Sequence, residues 1–255
     1  MALSPGARTV ALPGHVHAAW SDASRGDLRP TGGHAAGAAA LSRFASDMAA
    51  TTGAPVHLVA TAGQVHGAGV LDVDLGGPDD TPPEGGGPVV RCLAEGDALV
   101  SRDRATALCV LTADCGALAL ASPEGVFAAV HAGWRGLLAG VVEAAVGRMR
   151  EQGATDVVGA LGPCIHAGCY EFSPSDLDAV AEVYGGSVRG RTAGGRPALD
   201  VPAGISAALE RAGASGVEGV DACTACAEGY FSHRARRDTG RQALLVWSGP
   251  ASGRA

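Results

Sequence analysis

The sequence contains no lysine and no asparagine, and only two isoleucines, Ile165 and Ile205. Outside histidine, every basic side chain is an arginine. Without lysine no Schiff base can form, so pyridoxal-phosphate chemistry is excluded, and so is a P-loop with its phosphate-gripping lysine. Long apolar runs are missing too: none reaches the ~18 uninterrupted residues of a membrane span. The opening residues, Met-Ala-Leu-Ser-Pro-Gly-Ala-Arg, lack the charged and apolar regions of a signal peptide. A cytoplasmic protein that does not enter the membrane is expected. Positive charge is in short supply as well. The 19 basic residues are outnumbered by 26 acidic ones, for a net charge of -7, which argues against a nucleic-acid partner. The seven cysteines form no regular disulfide framework, which fits a reducing compartment. Cys223-Thr-Ala-Cys226 is a C-x-x-C pair, but no second such pair completes a four-cysteine zinc site.

What is present reads as a globular chain. It has 255 residues, 47% hydrophobic and 18% charged. Residues 36–50 read as a helix and 56–60 as a strand, before a stretch at 71–90 rich in Asp, Gly and Pro that reads as an exposed excursion. Residues 107–111, 117–121 and 126–130 are apolar runs of strand length. After His131 a single helix is expected through Met149, on the spacing of Leu137, Leu138, Val141, Val142, Ala145, Val146 and Met149. Strand 157–161 precedes a helix over 174–184, signalled by Ser173-Pro174. A Gly/Arg-rich loop follows at 185–197, then a helix capped by Asp200 that runs to about Arg211. Strands are expected at 217–220 and 243–247. No repeat and no strong linker interrupts the chain, so one mixed α/β domain spanning 1–255 is expected.

Three residues far apart in sequence stand where apolar runs give way to glycine or polar residues: His66, Cys115 and His131. Two imidazoles and a thiolate suit Zn²⁺, and three protein ligands leave a fourth position open for water or substrate. The spacing matches no zinc finger, and a buried cysteine with two hydrogen-bonded histidines would look the same. A Cys115–His131 nucleophile–base pair is a further reading. Copper is the less favoured metal, because His15-Val-His17 is the one His-x-His pair. In His131-Ala-Gly-Trp-Arg-Gly136, Arg135 and the amides of a helix start offer an anion site. Asp114, beside Cys115, is a candidate to orient a histidine or move protons, and Glu171 a candidate acid or ribose ligand. His233 and Arg234 lie in a basic loop behind Tyr230 and Phe231 that could hold phosphate or a purine.

These words together resemble the laccase-domain family. They are Gln-Val-His-Gly (64–67), Gly-Asp-Ala-Leu-Val (96–100), Thr-Ala-Asp-Cys (112–115), Val-His-Ala-Gly-Trp-Arg-Gly (130–136), Leu-Gly-Pro-Cys (161–164), Cys-Tyr-Glu (169–171), Asp-Ala-Cys-Thr (221–224) and Phe-Ser-His-Arg (231–234) with Thr-Gly-Arg (239–241). The family was once described as multicopper polyphenol oxidases and later as zinc-dependent purine nucleoside phosphorylases with adenosine deaminase activity. The resemblance covers residues 60–247. It implies an α+β fold, a layered α/β sandwich with mixed sheets of the CNF-toxin-like kind, and zinc on His66, Cys115 and His131. It implies phosphorolysis of adenosine, inosine, guanosine or methylthioadenosine, with Asp114, Glu171 and His233 in catalytic roles. Arg135 and Arg234 would hold phosphate or substrate, in a monomer or weak dimer. A cysteine hydrolase or a cell-wall editing factor is the alternative. The N-terminal part departs from the family pattern: Ala23 occupies the slot of a usual arginine, and Arg25 or Arg29 are its candidate replacements.

Overall fold

A computed structural model of the chain describes residues 2–4, 6–30, 35–74 and 86–250. Strands β1 (Ala2–Ser4), β2 (Ala7–Leu12) and β3 (Val16–Ser21) come first, then helix α1 (Ala35–Thr52). Next are β4 (Leu58–Gly63), β5 (Val70–Asp72), β6 (Val89–Glu95), β7 (Ala98–Ser101), β8 (Thr106–Thr112), β9 (Gly116–Ala121) and β10 (Phe127–Ala132). Helices α2 (Trp134–Leu138) and α3 (Val141–Glu151) precede β11 (Val158–Leu161) and α4 (Pro174–Tyr184). The chain ends through β12 (Arg189–Arg191), β13 (Pro197–Leu199), α5 (Val201–Arg211), β14 (Ser215–Gly216), α6 (His233–Arg236) and β15 (Gln242–Ser248).

The strands form two large sheets, ordered β1-β2-β3-β15-β8-β4-β6 and β14-β11-β9-β10-β7-β5, plus the small β12-β13 pair. Both large sheets are mixed. β4 runs parallel to β6 and β8, and β5 runs parallel to β7, while most other pairs are antiparallel. Side-chain alternation sorts the residues into three cores. In β8, Leu108 and Val110 face the space between the sheets, while Ala107 and Cys109 face α1. In β9, Ala117, Ala119 and Ala121 face inward between the sheets, while Leu118 and Leu120 face the other helices. The order is therefore helix, sheet, sheet, helices: the layered sandwich expected of an α+β fold.

Helix α1 buries Leu41, Phe44, Ala45, Met48 and Ala49, a helical stripe, against Val59, Cys109 and Leu245. Each large side chain fully buried there stabilises the fold by roughly 1.5–3 kcal/mol. Helices α4 and α5 begin where expected, because their caps are local: Ser173 accepts from the Asp176 amide and Asp200 from the Ala203 amide. The expected single helix after His131 is instead two. Gly140 adopts φ 82° and ends α2, so α3 starts afresh at Val141. The apolar periodicity runs across this break because both helices pack on the same sheet.

Other differences lie mainly at edges. The 185–197 loop carries β12 and the start of β13. The strand expected at 217–220 pairs earlier, at Ser215–Gly216, although the Val217 and Val220 amides still reach the Gly159 and Leu161 carbonyls. Of the expected excursion at 71–90, residues 75–85 lie outside the described residues, and its two ends are strands β5 and β6.

Candidate metal centre

The sandwich brings its two sheets together at one end. There β8 leaves the first sheet and, through the turn Ala113–Cys115, enters the second as β9. Cys115 sits in this crossing. The parallel neighbour of β8, β4, ends at the same side and leads to His66. His131 lies near the end of β10, paired with Ala117 just past Cys115, and shares the inter-sheet face of Phe127 and Ala129. Sequence-distant residues thus become neighbours because three strands finish together.

The ligand atoms of His66, Cys115 and His131 all lie within 4.8 Å of one another. Cys115 Sγ is 3.8 Å from His66 Nε2, and the two imidazole rings meet nearly edge-to-face at 4.8 Å. Two ligands of a tetrahedral zinc, at about 2.1 and 2.3 Å from the ion, stand about 3.6 Å apart. The Cys115–His66 pair fits such an ion with a shift of a few tenths of an ångström, and the 4.8 Å limit on the whole set leaves the remaining donors to draw in by no more than roughly 1.5 Å. Exposure grades across the group: His131 is buried, Cys115 partly buried and His66 exposed.

Asp97 orders this centre. It is fully buried, and its Oδ1 stands 2.7 Å from His131 Nδ1. The same carboxylate accepts from the amides of Val65, His66 and Gly67. It therefore turns the other ring nitrogen of His131 toward Cys115 and also ties down the turn that carries His66. That turn needs tying, since His66 has φ 62°, which costs a β-substituted residue of order 1–3 kcal/mol. In the sequence Asp97 stands inside the word Gly-Asp-Ala-Leu-Val with no task legible from its neighbours. Asp-Ala-Leu-Val before a strand is an unremarkable string, and its partner is 34 residues away.

Charge follows the same geometry. Burial alone would push the Cys115 thiol up, but the charge on His131 and hydrogen bonds from both histidines outweigh it and bring it to about 6. Burial would lower His131, yet the Cys115 thiolate and Asp97 raise it to about 9. Both shifts run in the direction that favours a Cys115 thiolate beside a His131 imidazolium. Gly133 completes the packing: a Cβ there would stand 2.7 Å from His66 Cδ2 and 3.2 Å from Cys115 Sγ.

A cavity of about 600 Å³ opens over the cluster. Besides the three donors, its walls include Arg29, Tyr170, His233, Arg234 and Arg241. Arg29, one of the two candidate replacements for the missing arginine, is therefore at the site, its guanidinium held by Asp27. Arg25 is not: it pairs with Asp47 and lies over Phe44 on α1. Arg234 stacks over the Tyr170 ring at 4.5 Å.

The remaining candidates fall around this cavity. Asp114 lines it, but its carboxylate is engaged by Thr224 Oγ1 at 2.7 Å and by the Arg234 amide at 2.6 Å. The histidine-orienting task considered for Asp114 is carried by Asp97. Glu171 holds Arg234 Nη1 through its backbone carbonyl, while its carboxylate pairs with Arg196 in a neighbouring groove. Arg135 does not line the cavity. It is exposed and lies over the Trp134 ring, 4.2 Å from its centroid, on a helix of five residues.

Residues 36–249 match the family described as multi-copper polyphenol oxidoreductase laccase, and the chain belongs to that family. It is similar to a Streptomyces coelicolor protein named purine nucleoside phosphorylase, 44% identical over 187 residues, 72% of either chain. A Streptomyces griseus protein of the same name is 37% identical over 251 residues, 94% of this chain and 97% of the relative. Among solved structures, a Neisseria meningitidis protein superposes with a TM-score of 0.72 at 25% identity, covering 96% of this chain and all of the other.

Proposed function

We propose that this protein is a purine nucleoside phosphorylase that works with a zinc ion held by His66, Cys115 and His131. The observation that carries the reading is the composition of one cavity: a His–Cys–His cluster at its floor, with three arginines and an aromatic ring in its walls. The names of its relatives point the same way. The copper in the family's description has less support in the donors. The His-x-His pair is not part of the cluster, and His17 stacks instead on Trp247.

In phosphorolysis an oxygen of inorganic phosphate forms a bond to the ribose anomeric carbon. The bond from that carbon to the purine nitrogen breaks, and the purine leaves with the electron pair and takes up a proton. His66, Cys115 and His131 would hold the zinc, which when bound would supply Lewis-acid chemistry. Arg234 and Arg241 bring positive charge to the phosphate, and Arg234 is set for this by its stacking on Tyr170, while Arg29 offers donors beside them with its charge offset by Asp27. Asp114 and Glu171 act through Arg234, one on its amide and the other on its guanidinium, as positioning residues. His233 is the wall residue able to hand a proton to the departing base. Tyr170 offers a face for a purine or ribose ring. Deamination of adenosine would share the ion and the pocket.

A second reading has a specific observation behind it. Cys115, His131 and Asp97 also have the order of a nucleophile, a base and an orienting carboxylate, and the thiol is held near 6. Metal removal separates the two. Under the phosphorylase reading, chelation abolishes purine release, zinc restores it, and bound zinc shields Cys115 from alkylation. Full activity in metal-free protein, lost on Cys115 alkylation, would instead establish the cysteine nucleophile.

A further inference from the structure

Beyond the first cluster, the described residues hold one more convergence of metal-donor side chains. Cys169, Cys223 and Cys226 have their sulfurs within 4.8 Å of one another. Cys169 ends the short turn Ala167–Cys169, and the other two form the C-x-x-C pair. The sequence supplied half a site; the fold supplies its third thiol from a distant loop. All seven cysteines are free thiols.

Backbone amides surround the central sulfur of the group. Cys223 Sγ receives the amide of His166 at 3.4 Å, and the amides of Ala225 and Cys226 also point at it. Three thiolates on a tetrahedral zinc, each at about 2.3 Å, stand about 3.8 Å apart. The sulfurs therefore need to draw in by no more than about an ångström, and the one bearing the most solvent, Cys226, has the freedom to move.

We propose that Cys169, Cys223 and Cys226 form a second, structural zinc site. Soft thiolate donors select zinc-like ions over hard cations. Cys226 lies at the surface, so water fills the fourth position. The bound ion would join two segments that wall the main cavity. One is the turn leading into Tyr170 and Glu171. The other runs from Asp221 to α6 and carries His233 and Arg234. Thr224, inside the C-x-x-C pair, already bonds Asp114 next to the first cluster. The second site would thus brace the part of the cavity wall that carries Tyr170, His233 and Arg234. It stands independently of the phosphorylase reading, because it concerns metal content and not turnover.

The test counts zinc in protein purified under reducing conditions and dialysed against metal-free buffer. The wild type is expected to carry two zinc ions per chain, and Cys226→Ser and Cys169→Ser one each. His66→Ala should also carry one, now at the cysteines. Cadmium loading of the His66→Ala variant should give the ultraviolet sulfur-to-metal absorption of three thiolates. Cys226 is exposed, so its serine variant is expected to fold even if a Cys223 variant does not. One zinc in the wild type, lost entirely in His66→Ala, overturns the proposal. So does a Cys223–Cys226 disulfide in the reduced preparation, or a zinc count unchanged by Cys226→Ser.

Discussion

Asp97 shows how much of the centre depends on a residue that touches no substrate. One buried carboxylate fixes the ring of His131 and the strained turn of His66. Replacing Asp97 with Asn puts an amide group where a backbone donor or the imidazole must be met. Partners of this kind typically contribute 10–100-fold in metal affinity, so zinc binding to Asp97→Asn should weaken by about that factor. Competition against a chelator reads this directly, and unchanged affinity would remove Asp97 from the account. Gly133 makes a steric counterpart. In Gly133→Ala the new methyl meets the His66 ring at 2.7 Å. We expect metal loss with an unchanged far-ultraviolet circular dichroism spectrum; a variant that binds zinc as tightly as wild type would show that His66 has room to retreat. That His66, Cys115 and His131 come together as one group that could hold a metal was legible in the sequence, because each stands where an apolar run gives way to glycine or polar residues. Asp97 and Cys169 could not, since their tasks arise only from long-range pairing. Arg135 was conspicuous between its glycines, yet the fold lays it on Trp134 and lines the cavity with Arg234, Arg29 and Arg241.

Elements with local signals were legible to the residue. Helices α4 and α5 start at Ser173-Pro174 and Asp200 because cap and first turn are adjacent in sequence. Asp200→Ala should cost about 1 kcal/mol, a fall in melting temperature of about 2–4 °C, without changing metal content. No fall would mean that the cap is idle. The break between α2 and α3 was hidden, because the apolar spacing persists through Gly140. Strands β2 and β6 also escaped notice because they are partly exposed and leave little pattern, and β3, though buried, escaped because its run of Val, His, Ala, Ala, Trp and Ser carries few large apolar residues. The segment after β3 is fastened by Asp27, which binds the Arg29 guanidinium and the Arg241 amide. Burial pushes its carboxyl up, but the Arg29 and Arg241 hydrogen bonds prevail and hold it below the ordinary range. A depressed carboxylate contributes stability above its unfolded pKa of about 3.9 and loses it as pH falls through the folded value. The stability deficit of Asp27→Asn should therefore be full at neutral pH and shrink below about pH 4. A deficit independent of pH across that window would assign the effect to packing alone.

At the scale of the molecule, two mixed sheets stacked between helices bring the ends of β4, β8 and β10 to one rim, and the chemistry collects there. The layered class was legible from the alternation of apolar runs with helical stretches and from the family words. Strand order was not, because the first sheet joins β15, at the end of the chain, to β3 near its start. Arg29 reaches the cavity by way of this closure: the Leu28 amide bonds the Arg241 carbonyl, beside β15. On the proposed reading, the His–Cys–His cluster below and the arginines around the cavity would hold an anion against a sugar. The most direct test is a product assay with zinc-loaded protein on adenosine, inosine and guanosine, with and without inorganic phosphate. The account predicts free base and ribose 1-phosphate when phosphate is present and none when it is absent, with the rate falling at least tenfold in Arg234→Ala. Base release that ignores phosphate, or no release from any of the three nucleosides, would contradict it.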